Sequence, residues 1–373
     1  MAAATKRIPL ILALALSPAL AFAQDGEVES NEDDQQLELL HRQSSTVNGK
    51  VTLDSGTPPP EPIAIELECE SRAVSQVYTD RKGQFTAVLG EDATGNMLDA
   101  SASVQLGPRA GQINPFPERR GANRCQLRIF LGGYQPVLFD LADEGALGLI
   151  DVGTIVLRRS TGAVGAAVSV TSYEAPKNAR KLFDKAFREA HKKRPNLQNA
   201  MRDLEAAVAE YPRYAAAWDL LGDCNLLTGS REGARRAYEG AVAADADYLP
   251  PYAPLIRMAA LDARWEDAER LAGERLRLAP SGESAYYRAL ALFELGAIES
   301  AEQALDAAQR AADAHRLPQI ALVSADIHAA RGRFKQAAAQ YSLFLERVPQ
   351  SPARPEIEAK VEGWRRDGKL TAD

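Results

Sequence analysis

The sequence predicts a multidomain β + α protein in which an N-terminal antiparallel β-sandwich is followed by an α-helical repeat solenoid. Short β-rich stretches separated by Gly, Pro, Asn and Asp fill residues 46–159, which is typical of a sandwich. After a small, polar stretch at 160–176, the composition changes to Ala, Leu, Arg and Glu with helical periodicity. The helical part also repeats itself, which favours a solenoid.

The N-terminus has the pattern of a secretory signal peptide. Lys6 and Arg7 precede an apolar run at 8–20, and Ala-Phe-Ala at 21–23 matches the small-x-small cleavage signal. We expect removal of residues 1–23 and a periplasmic or secreted product. The alternative is a membrane anchor, but prolines interrupt the run and it is shorter than the ~20 apolar residues a spanning helix requires. No integral membrane span is therefore expected after cleavage.

Charge limits the classes of partner. The formal net charge is −7, and loss of Lys6 and Arg7 with the signal peptide makes it more negative. No basic stretch is long enough to neutralise a row of phosphates, so nucleic acid is not an expected partner. Residues 24–45 are crowded with Asp and Glu and contain few apolar residues, a composition typical of a disordered segment.

The β part contains seven strand-like stretches and a long interruption. The stretches are Val47–Leu53, Ile63–Cys69, Val74–Thr79, Gln84–Leu89, Cys125–Leu131, Val137–Leu141 and Asp151–Leu157. The interruption, at 91–124, is rich in Gly, Pro and Asn and is expected to be a surface loop with one strand-like segment at Ser101–Leu106.

Short motifs in this part resemble the carboxypeptidase regulatory-like family. They are Gly49-Lys50-Val51, Thr79-Asp80-Arg81-Lys82-Gly83-Gln84-Phe85, Gly132-Gly133-Tyr134 and Asp151-Val152-Gly153-Thr154-Ile155-Val156-Leu157. The resemblance implies a transthyretin-like seven-stranded sandwich and no catalysis. The insertion before Cys125 departs from a minimal member of that family.

Two of the three cysteines are placed to pair. Cys69 alternates with Ile63, Ile65 and Leu67 on one strand face, and Cys125 alternates with Leu127 and other apolar residues on another. Both thiols are therefore expected to point into the core. In an oxidising compartment we expect a Cys69–Cys125 disulfide, with two buried free thiols as the alternative.

The helical part contains phased small residues. Ala200, Ala234, Ala268, Ala301 and Ala337 are separated by 34, 34, 33 and 36 residues. One unit matches the tetratricopeptide (TPR) consensus closely, and the prolines that end other units fall at one equivalent position. The signature packing residues are Trp218, Leu221, Gly222, Ala234, Tyr238, Ala241, Pro280 and Pro349. The chain thus resembles TPR proteins over about half its length, although Asn225 and Ala246 depart from the consensus.

The resemblance implies about five repeats and a closing helix within 177–367, followed by a short tail at 368–373. The repeats are expected at 181–214, 215–248, 249–281, 282–317 and 318–351. The competing interpretation is an irregular helical bundle with accidental periodicity.

Patterns that indicate catalysis are missing from the sequence. The four histidines are scattered, and the chain contains no H-E-x-x-H pair, G-x-S-x-G elbow, Walker loop or G-x-G-x-x-G motif. We therefore expect no enzyme activity, no metal and no cofactor.

The predicted function is an exported envelope scaffold that binds a protein or peptide on the concave face of the solenoid. In the resembling family the first helix of each repeat lines that face. The candidate partner-binding residues are Asp219, Asp223, Arg257, Tyr286, Leu290, Phe293 and Asp326. Packing between repeats is the alternative role for each.

Two other functions stay open. The β-sandwich could bind carbohydrate through exposed aromatics such as Tyr134 or Phe116, or the chain could be a non-catalytic accessory subunit of an envelope peptidase. The sequence does not reveal the oligomeric state.

Overall fold

The computed structural model describes residues 45–69, 72–89, 125–141, 149–311 and 314–370. The predicted signal peptide lies outside the described residues, as do nearly all of the acidic segment and the long loop with its candidate strand. The described residues form two parts, the β region within 45–159 and the helical region within 171–370, which are joined by the connecting segment at 160–170.

The β region consists of two small sheets. Its strands are β1 Ser45–Leu53, β2 Ala64–Cys69, β3 Arg72–Tyr78, β4 Gln84–Leu89, β5 Cys125–Ile129, β6 Val137–Asp140 and β7 Leu149–Leu157. One sheet has the order β4-β1-β7 and the other the order β3-β2-β5-β6. All seven predicted strands are present, with bounds that differ by a few residues.

The prediction of purely antiparallel pairing is wrong at one edge. β7 runs parallel to β1, with Val51 opposite Ile155, whereas all other pairs are antiparallel. A parallel neighbour needs a long connection, and about a hundred residues separate these two strands. Alternating strand residues give no information about this direction, because the side-chain period is two in either case.

The inward faces of both sheets share one apolar core. Val51 of β1, Ile65 and Leu67 of β2, Leu127 of β5 and Leu157 of β7 have no exposed surface. Cys69 and Cys125 lie opposite each other on β2 and β5 and form a disulfide. The third cysteine, Cys224, is a buried free thiol in the helical region.

The helical region is a series of antiparallel helix pairs that matches a TPR-like solenoid. Its helices are α1 Thr171–Glu174, α2 Lys177–Ala190, α3 Leu197–Glu210, α4 Ala215–Leu227, α5 Arg231–Ala244, α6 Tyr252–Leu261, α7 Trp265–Leu278, α8 Gly282–Glu294, α9 Ile298–Arg310, α10 Gln319–Ala330, α11 Phe334–Arg347 and α12 Arg354–Arg366. From α2 onward each helix packs on the next along the chain. Repeats 1 to 5 are the pairs α2–α3, α4–α5, α6–α7, α8–α9 and α10–α11.

The phased alanines occupy equivalent positions in the second helix of each repeat. Ala200, Ala234, Ala268, Ala301 and Ala337 are all fully buried. A methyl group added at Gly222 would lie 2.5 Å from the ring of Tyr238, so only glycine permits this approach of α4 to α5. The packing thus has the repeat period that the sequence predicts.

The connecting segment is packed between the two regions, whereas the sequence suggested an ordinary linker. Residues 165–169 are buried, and Ala166 forms a parallel bridge with Tyr248 between α5 and α6. The amide of Ala166 donates to the Asp247 carbonyl at 3.1 Å, and the Leu249 amide donates back to the Ala166 carbonyl at 3.0 Å. Small side chains allow this, since a Cβ at Gly165 would lie 2.8 Å from the Asp247 carbonyl oxygen.

The β region docks directly on repeat 1. Arg81, in the turn before β4, forms an ion pair with Asp184 of α2. The ring of Tyr78 lies edge-on to Phe187 at a centroid distance of 5.0 Å and contacts His191 at 4.6 Å. The first repeats are therefore covered by other parts of the same chain.

Candidate functional site

Two of the predicted partner-binding carboxylates have partners within their own repeat. The Tyr238 hydroxyl of α5 donates to Asp223 of α4 at 2.6 Å, and the Tyr341 hydroxyl of α11 donates to Asp326 of α10. Both pairs are 15 residues apart and join the first helix of a repeat to the second. Asp326 also accepts from Lys360 of the closing helix α12 at 3.3 Å. These carboxylates therefore stabilise helix pairing.

Tyr286 belongs to the core between repeats and does not project as an exposed anchor. It is 8 % exposed and packs in the cluster that contains Ala289, Ile320 and Val323. Burial raises the pKa of its hydroxyl. Leu290 and Phe293, on the same face of α8, are half-buried against this cluster. The packing alternative thus applies to Tyr286, while Leu290 and Phe293 keep some exposed surface.

The first helices of repeats 3 and 4 carry charged and apolar groups that are open to solvent. Arg257 of α6 pairs with Glu283 of α8 at 3.2 Å, and both side chains are partly exposed. Leu261 lies four residues after Arg257, on the same face of α6, and is 53 % exposed. Glu283 and Leu290 likewise share a face of α8. We call Arg257, Leu261, Glu283, Leu290 and Phe293 the open face.

A second feature is a small cavity of about 30 Å³ where the β region, the connecting segment and repeats 1 and 2 meet. Its walls combine apolar side chains with three carboxyl groups and a tyrosine. The lining residues are Glu61, Pro62, Ile63, Leu131, Ala167, Val168, Phe183, Phe187, Ala216, Asp219, Leu220, Asp223 and Tyr248. A space of this size holds about one or two waters.

Glu61 joins the β region to the connecting segment from inside this interface. Its Oε1 accepts hydrogen bonds from the Ser169 amide at 3.0 Å and from the Ser172 hydroxyl at 2.5 Å. The Ser169 hydroxyl in turn donates to Asp245, at the end of α5, at 2.6 Å. Burial raises the pKa of Glu61 to about 7, although the Ser172 and Ser169 hydrogen bonds oppose this rise.

Asp219, the remaining predicted partner-binding carboxylate, is buried in the same place. It is 4 % exposed, and the Tyr248 hydroxyl donates to its Oδ2 at 3.4 Å. Burial, followed by the neighbouring charges of Asp223 and Glu61, raises its pKa well above the usual range. A partner cannot reach Asp219 while the β region is docked.

The structure also bears on the roles considered for carbohydrate, metal and membrane binding. Tyr134, considered as a carbohydrate-stacking residue, is 8 % exposed and has the Arg159 guanidinium 5.5 Å from its ring centre. Phe116, the second such residue, lies outside the described residues. Across the described ranges, no three His, Cys, Asp or Glu side chains are grouped so that they could hold a metal ion. Nor does any helix in the described part of the chain have the length and hydropathy to cross a membrane.

Sequence reasoning did not find Glu61, Ser169 or Tyr248. Glu61 follows three prolines, which indicated a loop, and Ser169 lies in the small, polar stretch that indicated a linker. The one available signal was the run Gly165-Ala166-Ala167, because residues this small permit close approach of two backbones.

Comparison with known proteins yields structural neighbours only. Neither a protein-family model nor a curated protein matches the sequence. A TPR protein from Parabacteroides merdae is 19 % identical, with a TM-score of 0.42 over 52 % of this chain and 75 % of its own. YrrB, described as a TPR protein with an unusual peptide-binding site, is 13 % identical, with a TM-score of 0.41 over 48 % of this chain and 91 % of its own. PilW, described as a type IV pilus biogenesis factor, is 15 % identical, with a TM-score of 0.40 over 51 % and 88 %.

Proposed function

We propose that this chain is an exported, non-catalytic envelope scaffold that binds a protein or peptide partner on the open face of its solenoid. The first helices of successive repeats form a row, which we call the first-helix row. The observation that supports the proposal is the difference in exposure between the two ends of this row. In repeats 1 and 2 this row is covered by the β region, whereas in repeats 3 and 4 it presents Arg257, Leu261 and Leu290 to solvent.

The chemistry of the open face suits a peptide or a helix. Exposed and half-buried apolar side chains provide anchors, and the flanking Arg257–Glu283 pair provides charges of both signs that set the register of a bound segment. YrrB is described as a TPR protein with an unusual peptide-binding site. The proposal for this chain likewise includes a peptide as the partner.

Export is supported by the disulfide. Such bonds persist in oxidising compartments, and the Cys69–Cys125 bond joins two strands of the β region. We infer that the β region is a carboxypeptidase regulatory-like sandwich whose role here is to cover the first repeats.

The test uses two matched substitutions of exposed apolar residues. In pull-downs from an envelope extract with residues 24–373 as bait, Leu261→Lys should reduce capture of the wild-type partner at least tenfold, because a charge replaces an anchor. Val156→Lys on β7 alters a similarly exposed residue, at 46 % exposure, and should leave capture unchanged. Lysine also suits the last turn of α6, where the helix dipole favours a cation.

The opposite pattern contradicts the proposal. If Val156→Lys abolishes capture and Leu261→Lys does not, the β region is the binding part. Unchanged capture by both variants, with both folded by circular dichroism, removes the open face as the partner site.

A further inference from the structure

The docked β region and connecting segment cover the inner face of the first two repeats. The amides of Val164 and Gly165 both donate to the Leu278 carbonyl, at 2.8 and 3.0 Å. On its other side, the segment donates from the Ala167 amide to the Gly132 carbonyl of the β region at 2.8 Å. The Glu61 hydrogen bonds and the Arg81–Asp184 ion pair also hold this arrangement, so its equilibrium depends in part on the ionisation of groups buried beneath it.

Carboxyl groups from separate elements converge in this interface. Glu61 comes from the loop before β2, Asp219 and Asp223 from α4, and Asp245 from the end of α5. Glu61 and Asp219 are at most 8 % exposed. Like charges in a buried site raise the cost of ionisation, so ionisation of Glu61 or of Asp219 opposes docking.

The surrounding charged and titratable groups come from every packed element. Hydrogen bonds reach the carboxyl groups from Tyr248, in the loop between α5 and α6, and from Ser172 of α1. The charge of Glu61 also acts on Tyr134 and Tyr214. The neighbouring cations act on the tyrosines: Arg81 and Arg180 on Tyr214, Arg159 on Tyr134, and Arg257 on Tyr238.

We infer that the β region and connecting segment are a pH-dependent cover of the inner face of repeats 1 and 2, released when the buried carboxyl cluster ionises. Release uncovers Ala216, Leu220 and Asp219, which line the interface now. This equilibrium involves repeats 1 and 2 and the end of α7 in repeat 3, where Leu278 lies, and it is separate from partner binding on the open face of repeats 3 and 4.

The direction follows from proton linkage. The pKa of Glu61 is about 7 when docked, against 4.5 for an unperturbed carboxyl. Docking is therefore strongest below about pH 4.5 and weakens as pH rises toward 7, because undocking then releases a proton. One released proton corresponds to a tenfold change in the docking equilibrium per pH unit.

Hydrogen exchange of the connecting segment measures this equilibrium directly. In the mature chain, the protection factors of the Val164, Gly165 and Ala166 amides should fall by up to tenfold per pH unit between about pH 5 and 7 and then level off. The Val51 amide, bonded to the Gly83 carbonyl at 2.7 Å within the β region, is the internal reference.

Two variants test the role of Glu61. Glu61→Gln keeps a carbonyl oxygen for Ser169 and Ser172 but cannot ionise, so the decline between about pH 5 and 7 should become shallower, and any slope that remains reports the other buried carboxyl, Asp219. Ser172→Ala removes a hydrogen bond that lowers the pKa of Glu61. The pH at which the protection factors stop falling should therefore be higher than in the wild type. Asp140→Asn removes an exposed carboxyl from β6 and should behave as wild type.

The inference is overturned if Glu61→Gln retains the wild-type slope, since a group other than Glu61 would then be responsible for the pH dependence. It is also overturned if wild-type protection is constant or increases with pH. If Glu61→Gln does not fold, Ser172→Ala decides the outcome. A Ser172→Ala variant whose protection factors stop falling at the wild-type pH, or at a lower pH, contradicts the role of Glu61.

Discussion

At the scale of single residues, the turns inside repeats 2 to 5 share one feature, a residue with positive φ two positions before the second helix. The φ angles are +82° at Gly229, +80° at Gly296 and +74° at Gly332, in the turns that precede α5, α9 and α11. The equivalent residue before α7 is Ala263, which has φ of +53°. A side chain with a Cβ is strained in this left-handed region. Repeat 3 therefore contains a destabilised turn.

Ala263→Gly should consequently stabilise the protein by about 1 kcal/mol, because it relieves the left-handed strain. The converse substitution Gly229→Ala should destabilise it by a similar amount. Urea unfolding of both variants measures the two changes in the free energy of unfolding. An increase in stability for Gly229→Ala, or a loss for Ala263→Gly, would show that the turns are not equivalent.

Signature residues were predicted from the sequence because their role depends on size. Gly222, Ala234 and Tyr238 are in the packing positions that the consensus indicates. The role of the acids was harder to foresee. Asp223 and Asp326 bond to tyrosines 15 residues away, and a sequence pattern shows which face a carboxylate is on but not whether a nearby hydroxyl binds it.

At the scale of elements, the burial of the connecting segment could not be predicted from its sequence. Residues 160–176 have no periodicity, and small side chains interspersed with Ser and Thr are typical of a linker. Burial of this segment depends on free backbone groups at Asp247, Leu249 and Leu278, which belong to distant turns. Such tertiary pairing leaves no local pattern. The helix bounds, in contrast, follow from local composition, and α2 begins at Lys177 where the composition changes.

The disulfide joins two strands of the β region, and its contribution to stability can be measured directly. It closes a loop with a sequence separation of 56, which in the chain-entropy description stabilises by about 3–4 kcal/mol. Reduction with dithiothreitol should therefore lower the unfolding midpoint of the β region, and Cys224 is already a free thiol. The measurement is near-neutral thermal unfolding followed by circular dichroism, with and without reductant.

Alkylation with intact-mass detection provides the control for that experiment. Before reduction, the unfolded protein should take up one alkyl group, and after reduction three. Uptake of three groups without reductant, or an unfolding midpoint that reductant does not change, would contradict a stabilising Cys69–Cys125 bond.

At the scale of the whole molecule, docking divides the first-helix row into a covered end and an open end. The covered end contains Asp219 beneath the β region, and the open end contains Arg257 and Leu261. The sequence predicted both regions and the first-helix row, but it could not predict which repeats stay open. That depends on how two separately patterned regions pack, through contacts such as Tyr78 on Phe187.

The most direct test of this account is a hydrogen-exchange footprint of the mature chain, free and saturated with the partner recovered by the wild-type bait. Binding to the open face should slow exchange in α6 and α8, while β1 and β7 exchange as in the free protein. Slowed exchange in β1 and β7, with α6 and α8 unchanged, would contradict the account and place the partner on the β region.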